Sequence, residues 1–431
     1  MPLARALCLL LALAAPFGCA GAASPVRRAL AAGDVPAALQ RYDAYVDERG
    51  ESDLDLLAEI ALGVIREAAA SPEARTRAAG FAALRGVGVA GRDSLESLAA
   101  LPGVVGDRAA AIVFELDGRR GPTPPRLRAA LASDSAERRV AAMVTVRGRR
   151  AVDRLTALAH DADPTVRAAA VRELARRHDG PAAAALAEKA RDDADPTVRA
   201  AAVMALGAQG EAAVEAIAAA LRDPDVIVRM AAPSALATAA GEGAGARLEP
   251  LLVDPPTSLA VETARVLVGR GHEPAIAYVL KVLAEGTPAL RAQAAVAAAL
   301  FPAARSDALE PLLRDRDPEV AIRVGAILGR QDAHRAAAIE ALRPLAARPD
   351  GFVAIRALGA LANAGDPWAL DRVREALSSR DATVRRLAAM VWPQAIGPRG
   401  GDCDPLVPLL RDPDRSVALL AAMQIVIIAA R

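Results

Sequence analysis

Asp163-Pro164-Thr165-Val166-Arg167-Ala168-Ala169-Ala170 returns letter for letter at Asp195-Pro196-Thr197-Val198-Arg199-Ala200-Ala201-Ala202 and in close form at Asp381-Ala382-Thr383-Val384-Arg385. A recurrence of this kind has to be read before any domain is drawn, because a repeat decides the whole architecture. Aligning the chain on the Arg places units at 77, 108, 139, 167, 199, 229, 260, 291, 323, 356, 385 and 418, with Ala260 and Ala418 departing from Arg. Three residues further on, each unit has a small residue: Gly80, Ala111, Ala142, Ala170, Ala202, Ala232, Thr263, Ala294, Ala326, Gly359, Ala388 and Ala421.

Each unit reads as two helices. The first carries large apolar residues at helical spacing, as in Ile276, Val279, Leu280 and Leu283, or Leu370, Val373 and Leu377. A D-P turn follows, where Pro can open the next helix because its missing N–H would have been unpaired there. On the second helix the residue before the Arg and those three and seven after it fall on one stripe, as with Val198, Ala202 and Leu206. Gly207 and Gly210 then end that helix. One such hairpin cannot bury its own stripe, so neighbours must stack.

The D-P-x-V-R-x-x-A unit of about 31 residues resembles the HEAT-like repeats of the phycobilisome-lyase type over residues 71–431. Glu249-Pro250-Leu251-Leu252 and Glu310-Pro311-Leu312-Leu313 match the E-P-L-[IL] run common in the first helix of those repeats. The resemblance implies an all-α fold, an α-α superhelix of the armadillo/HEAT-like solenoid kind with about twelve helix-pair repeats. It also implies that the turn Asp and the second-helix Arg hydrogen-bond within and between units, so that Arg167, Arg199 and Arg385 are structural.

Composition agrees. The 431 residues are 53% apolar but only 2% aromatic, and much of the apolar share is Ala, which suits thin, closely packed helices. A formal charge of +1 supplies no field to gather nucleic acid, and no aromatics interleave the Arg ladder. No nucleic-acid partner is expected.

Two segments precede the repeats. Arg5, the apolar run Ala6 to Phe17 and the small residues from Gly18 to Ser24 read as a secretory signal peptide over residues 1–22. Two cleavage readings compete. Gly18-Cys19 resembles the end of a bacterial lipoprotein signal, making Cys19 the lipidation candidate, although Pro16 stands where that motif has Leu. Ala20-Gly21-Ala22 offers an ordinary site instead. The expected address is outside the cytoplasm, lipid-anchored in the cell envelope or secreted, with any membrane contact through that lipid alone. Residues 23–70 read as a helical cap, its Ala29 to Tyr42 stretch similar to the first helix pair of a tetratricopeptide unit.

Several catalytic readings fail on context. Gly86-Val87-Gly88-Val89-Ala90-Gly91 spells G-x-G-x-x-G but follows a predicted helix, whereas the dinucleotide fingerprint follows a strand. HEAT-like repeats also build the deoxyhypusine hydroxylases, which hold iron with several His-Glu pairs, but His272-Glu273 is the only such pair here. His160, His178 and His334 sit in other repeats and read as solvated. No metal, cofactor or catalytic residue is expected. The expected function is a non-catalytic protein-interaction scaffold that binds a protein or peptide on the concave face of the solenoid; the alternative is an enzyme subunit of the bilin-lyase type.

Positions one, two and five after the Arg lie opposite the packed stripe. They are small or polar mid-chain but turn apolar toward the end: Leu358 and Leu361, Leu387 and Met390, then Leu419, Leu420 and Met423. These are the candidate partner-binding residues, for a peptide groove or a homodimer contact through the C-terminal repeats. The competing expectation is that the end of the array packs on itself.

Overall fold

The computed structural model describes residues 23–148, 151–176, 180–349, 351–397 and 400–431. The leader with Cys19, and His178, lie outside the described residues. All regular structure among the described residues is helical, and none of their helices is long and apolar enough to cross a membrane. The chain divides into two compact units, Pro102–Ala369, and the residues up to Leu101 together with Leu370–Arg431.

In Pro102–Ala369 the second helices of consecutive repeats form a row. Ala136–Ala142, Pro164–Leu174, Pro196–Leu206, Val226–Ala240, Ser258–Val268, Pro288–Ala298, Pro318–Leu328 and Gly351–Asn363 each pack on the next. Their starts are set chemically. The Oδ1 atoms of Asp163, Asp195 and Asp225 accept the backbone N–H of Thr165, Thr197 and Ile227 at 2.8 Å, satisfying donors that the helix itself leaves open. The small residues Ala142, Ala170, Ala202, Ala232, Thr263 and Ala294 are fully buried in the row, where short side chains let helix axes approach. A single apolar core of Ala, Val, Leu and Ile runs unbroken from Met143 to Ala338.

Two local expectations change. The E-P-L-L runs are not α-helical: Glu249–Leu251 and Ala303–Arg314 are 3₁₀ helices. Pro has no N–H to give and its ring crowds the carbonyl four residues back, which disfavours a regular α-helix through these runs, although Pro233, Pro344 and Pro393 sit inside α-helices elsewhere. The second change is register. Asp317 caps Pro318–Leu328 through the Glu319 N–H at 2.9 Å, which puts Ala321 where the other repeats have their Arg. Gly351–Asn363 likewise begins so that Ala354 takes that place. Arg323 and Arg356 therefore stand two residues past the ladder position, and both bond Glu319 instead. Gly325 rather than Ala326 is the close-packed small residue in its repeat, since a Cβ there would lie 2.8 Å from Leu342 Cδ2.

In the other unit, Leu54–Ala70 packs against Ala74–Gly86 and also against the last helix, Arg415–Ala429, which in turn packs on Ala382–Ala395. Gly80 makes the first contact possible, because a Cβ on it would fall 2.3 Å from the Ala69 nitrogen. Arg411 reaches Asp43 at 2.6 Å, joining residues 368 apart in sequence. The G-x-G-x-x-G stretch ends one helix at Gly86 and opens another at Arg92 through a 3₁₀ turn, with no strand before it.

Candidate functional site

The recurring chemistry of the repeat is an internal ladder, built by two Asp residues with separate duties. Arg167 holds Asp193 with Nε and Nη2 at 2.9 Å each, while its Nη1 donates to the Asp161 and Ala162 carbonyls. Arg139 does the same to Asp161, Arg199 to Asp223 and Arg385 to Asp412. The acceptor stands two residues ahead of the capping Asp and also takes its N–H, as when Asp223 Oδ1 accepts from Asp225 at 2.8 Å. Repeat is thus tied to repeat through planar, two-pronged bonds that Lys could not make. The guanidiniums hold the Asp223 and Asp412 carboxyls below the usual carboxylate range. The D-P motif marks one Asp per turn; the D-x-D spacing at 161/163, 193/195, 223/225 and 412/414 is the signal for the second.

The ladder is imperfect at Arg291. It meets Asp315 through Nη1 alone at 3.1 Å, and its buried Nε and Nη2 have no partner among the described residues.

The predicted partner-binding residues separate. Leu358 and Leu361 are 4% and 0% exposed, so they belong to the core and line no surface. The cause is the two-residue register shift: two residues turn a helix by about 200°, which moves the stripe one, two and five after Arg356 onto the packed side. Leu387, Leu420 and Met423 are half-buried, and Met390 is 46% exposed. Met423 sits over Gly86, whose Cβ, if present, would be 3.3 Å from the sulfur. Leu419 lines an open cavity of about 360 Å³ together with Val35, Leu39, Val64 and Leu410. The homodimer reading loses part of its surface, since Leu54–Ala70 and Ala74–Gly86 already pack on Arg415–Ala429.

The described histidines, His160, His272 and His334, do not converge. His160 is exposed and meets Glu188 at 3.0 Å; His272 meets Glu249 at 3.3 Å. His334 departs from the solvated expectation: it is 9% exposed and stands between Asp307, 3.1 Å away, and Glu310, 3.4 Å away. A second cavity of about 690 Å³, lined by Asp307, Glu310, Arg314 and Glu340, opens beside it. Among the described residues no three His, Cys, Asp or Glu side chains are grouped to hold a metal ion.

Stacked helix pairs, capped by Asp and tied by Arg, define a helical-repeat protein. The family model of HEAT repeats matches residues 123–207, 183–268 and 306–392, more than half the chain, and the protein belongs to that family. No curated protein matches it. Among solved structures it is similar to human deoxyhypusine hydroxylase in complex with glycerol, at 20% identity over 68% of this chain and 99% of that one, with a TM-score of 0.26. The complex of CpcE and CpcF of phycocyanin lyase from Nostoc sp. PCC7120 is 19% identical over 64% of this chain and 95% of that one, with a TM-score of 0.28. The karyopherin Kap121p, bound to the extreme C-terminus of the protein phosphatase Cdc14p, is 14% identical over 90% of this chain and 51% of its own, with a TM-score of 0.35.

Proposed function

We propose that the protein is a non-catalytic interaction scaffold of the bacterial cell envelope that holds a protein or peptide partner. The observation behind this is the use made of the repeated charges. Arg139, Arg167, Arg199 and Arg385 are all engaged in tying repeat to repeat, so the most regular chemistry in the chain serves architecture. What is left to meet a partner is the surface, including Met390. The alternative, an enzyme subunit of the bilin-lyase type, has only the repeat behind it.

The address rests on the leader and on Cys19. Comparing Cys19→Ala with the natural chain in the native host tests it: loss of membrane partition supports a lipid anchor, and unchanged partition leaves simple export. For the scaffold itself, the full chain is used to capture partners from the host envelope beside a Leu387→Glu, Met390→Glu variant of equal helicity. A discrete partner retained by the natural chain and lost by the variant supports the reading. Identical profiles, or none at all, count against it.

A further inference from the structure

The cavity of about 360 Å³ lies wholly within the unit formed by the residues up to Leu101 and Leu370–Arg431. Its floor is apolar: Val35, Leu39, Leu410 and Ala418 are buried, and Val64 and Leu419 are half-buried. Its rim is charged and open. Exposed Glu67, from Leu54–Ala70, and exposed Arg415, from Arg415–Ala429, both border it. The other two charges at the rim are occupied, Arg411 by Asp43 and Asp412 by Arg385. The side chains of Glu67 and Arg415 have no hydrogen-bond or ion-pair partner among the described residues.

An apolar pocket bordered by one unpaired anion and one unpaired cation selects its occupant by shape and by charge. The volume stands at the low end of the range of about 300 to 1,000 Å³ typical of ligand pockets. A helix about 10 Å across would not enter it, but a large side chain would. We infer that this cavity takes the bulky apolar side chain of an extended peptide that carries an acidic residue on one side of that anchor and a basic residue on the other. Arg415 receives the acid and Glu67 the base. The floor supplies affinity by burying apolar area, and the two rim charges fix the direction in which the peptide crosses. This assignment rests on the reading of the protein as an interaction scaffold, and it gives that scaffold one defined pocket, whose rim includes the ladder carboxylate Asp412.

The experiment selects a random nonapeptide library displayed on phage against the purified full chain, against Ala68→Phe, which fills the cavity, and against Glu67→Lys. Ala68 borders the cavity and Glu67 is exposed, so the second variant leaves the fold intact even where the first does not. The natural chain should enrich sequences with a large apolar residue flanked by opposite charges. A synthetic peptide of that consensus should bind Ala68→Phe at least tenfold more weakly. It should bind Glu67→Lys about fivefold more weakly, as befits an exposed ion pair, and selection on Glu67→Lys should replace the basic flank by an acidic one. Consensus peptides that bind both variants as tightly as the natural chain, or a consensus without the paired charges, would overturn the pocket and leave the scaffold standing. Failure of any sequence to enrich on the natural chain would overturn both.

Discussion

Arg199 and Asp223 meet through two parallel bonds, Nε to Oδ2 and Nη2 to Oδ1, each 2.9 Å long. The third nitrogen, Nη1, turns back to the Asp193 carbonyl at 2.9 Å. One side chain therefore spans the turn that opens its own helix and the turn that opens the next. Arg167 and Arg385 repeat the arrangement, which makes each rung a gauge of the spacing between repeats.

The register of the late repeats makes the first prediction. Leu361 is fully buried and Met390 nearly half exposed, although the two looked alike when the chain was aligned on Arg. Leu361→Ala should cost about 2–5 kcal/mol of stability, the range for an emptied core site. Met390→Ser should stay within about 0.5 kcal/mol, as for a surface change. Chemical denaturation followed by helical circular dichroism separates them, and equal losses would show that the register is wrong.

That contrast also marks what could be read from residues alone. The D-P-T-V-R unit carried the helix pair, the stacking and the structural role of the Arg, because each is enforced locally by a cap, a period and a small residue. Register at 321 and 354 was hidden because it follows the helix start, fixed at Pro318 by the Asp317 cap and lying at Gly351 in the next repeat, and not the Arg that lies near it. The 3₁₀ helices Glu249–Leu251 and Ala303–Arg314 were masked by the family resemblance, and Pro alone does not signal them, since Pro233, Pro344 and Pro393 lie inside α-helices. The contact of Leu54–Ala70 with Arg415–Ala429 and the burial of His334 between two carboxylates join segments or side chains whose meeting no local pattern encodes.

Acid should loosen the ladder. The Asp223 carboxyl is held low chiefly by its bonds to Arg199, and Asp412 by those to Arg385, against about 3.9 for an Asp in an unfolded chain. The folded state therefore binds its proton less readily than the unfolded one. The resulting stability is present above about pH 4 and is lost as the pH falls through the depressed folded values. Thermal midpoints measured from pH 7 to pH 3 should drop in that window. Asp223→Asn should lower the midpoint at pH 7 and show a shallower drop; curves that run parallel would contradict the assignment.

Cys403 is buried, and burial together with Asp402 and Asp404 pushes its thiol up to about 12. Thiolate is the reactive form. In a chain carrying Cys8→Ser and Cys19→Ser, alkylation by iodoacetamide at pH 8 should be slow in the native protein and fast in denaturant. Rapid native labelling would show that this thiol is open to solvent.

The repeated Arg and Asp residues hold the array together, each pair bridging adjacent repeats. A double-mutant cycle on Arg199→Met and Asp223→Asn tests this bridging most directly, because the Asn oxygen can still accept the Asp225 N–H while the charge that Arg199 grips is removed. Urea unfolding of the four proteins at pH 7 should give a coupling energy of about 1–3 kcal/mol, as for contacting residues in one bonded network. Strict additivity of the two substitutions would contradict the account and free the Arg ladder for some other role.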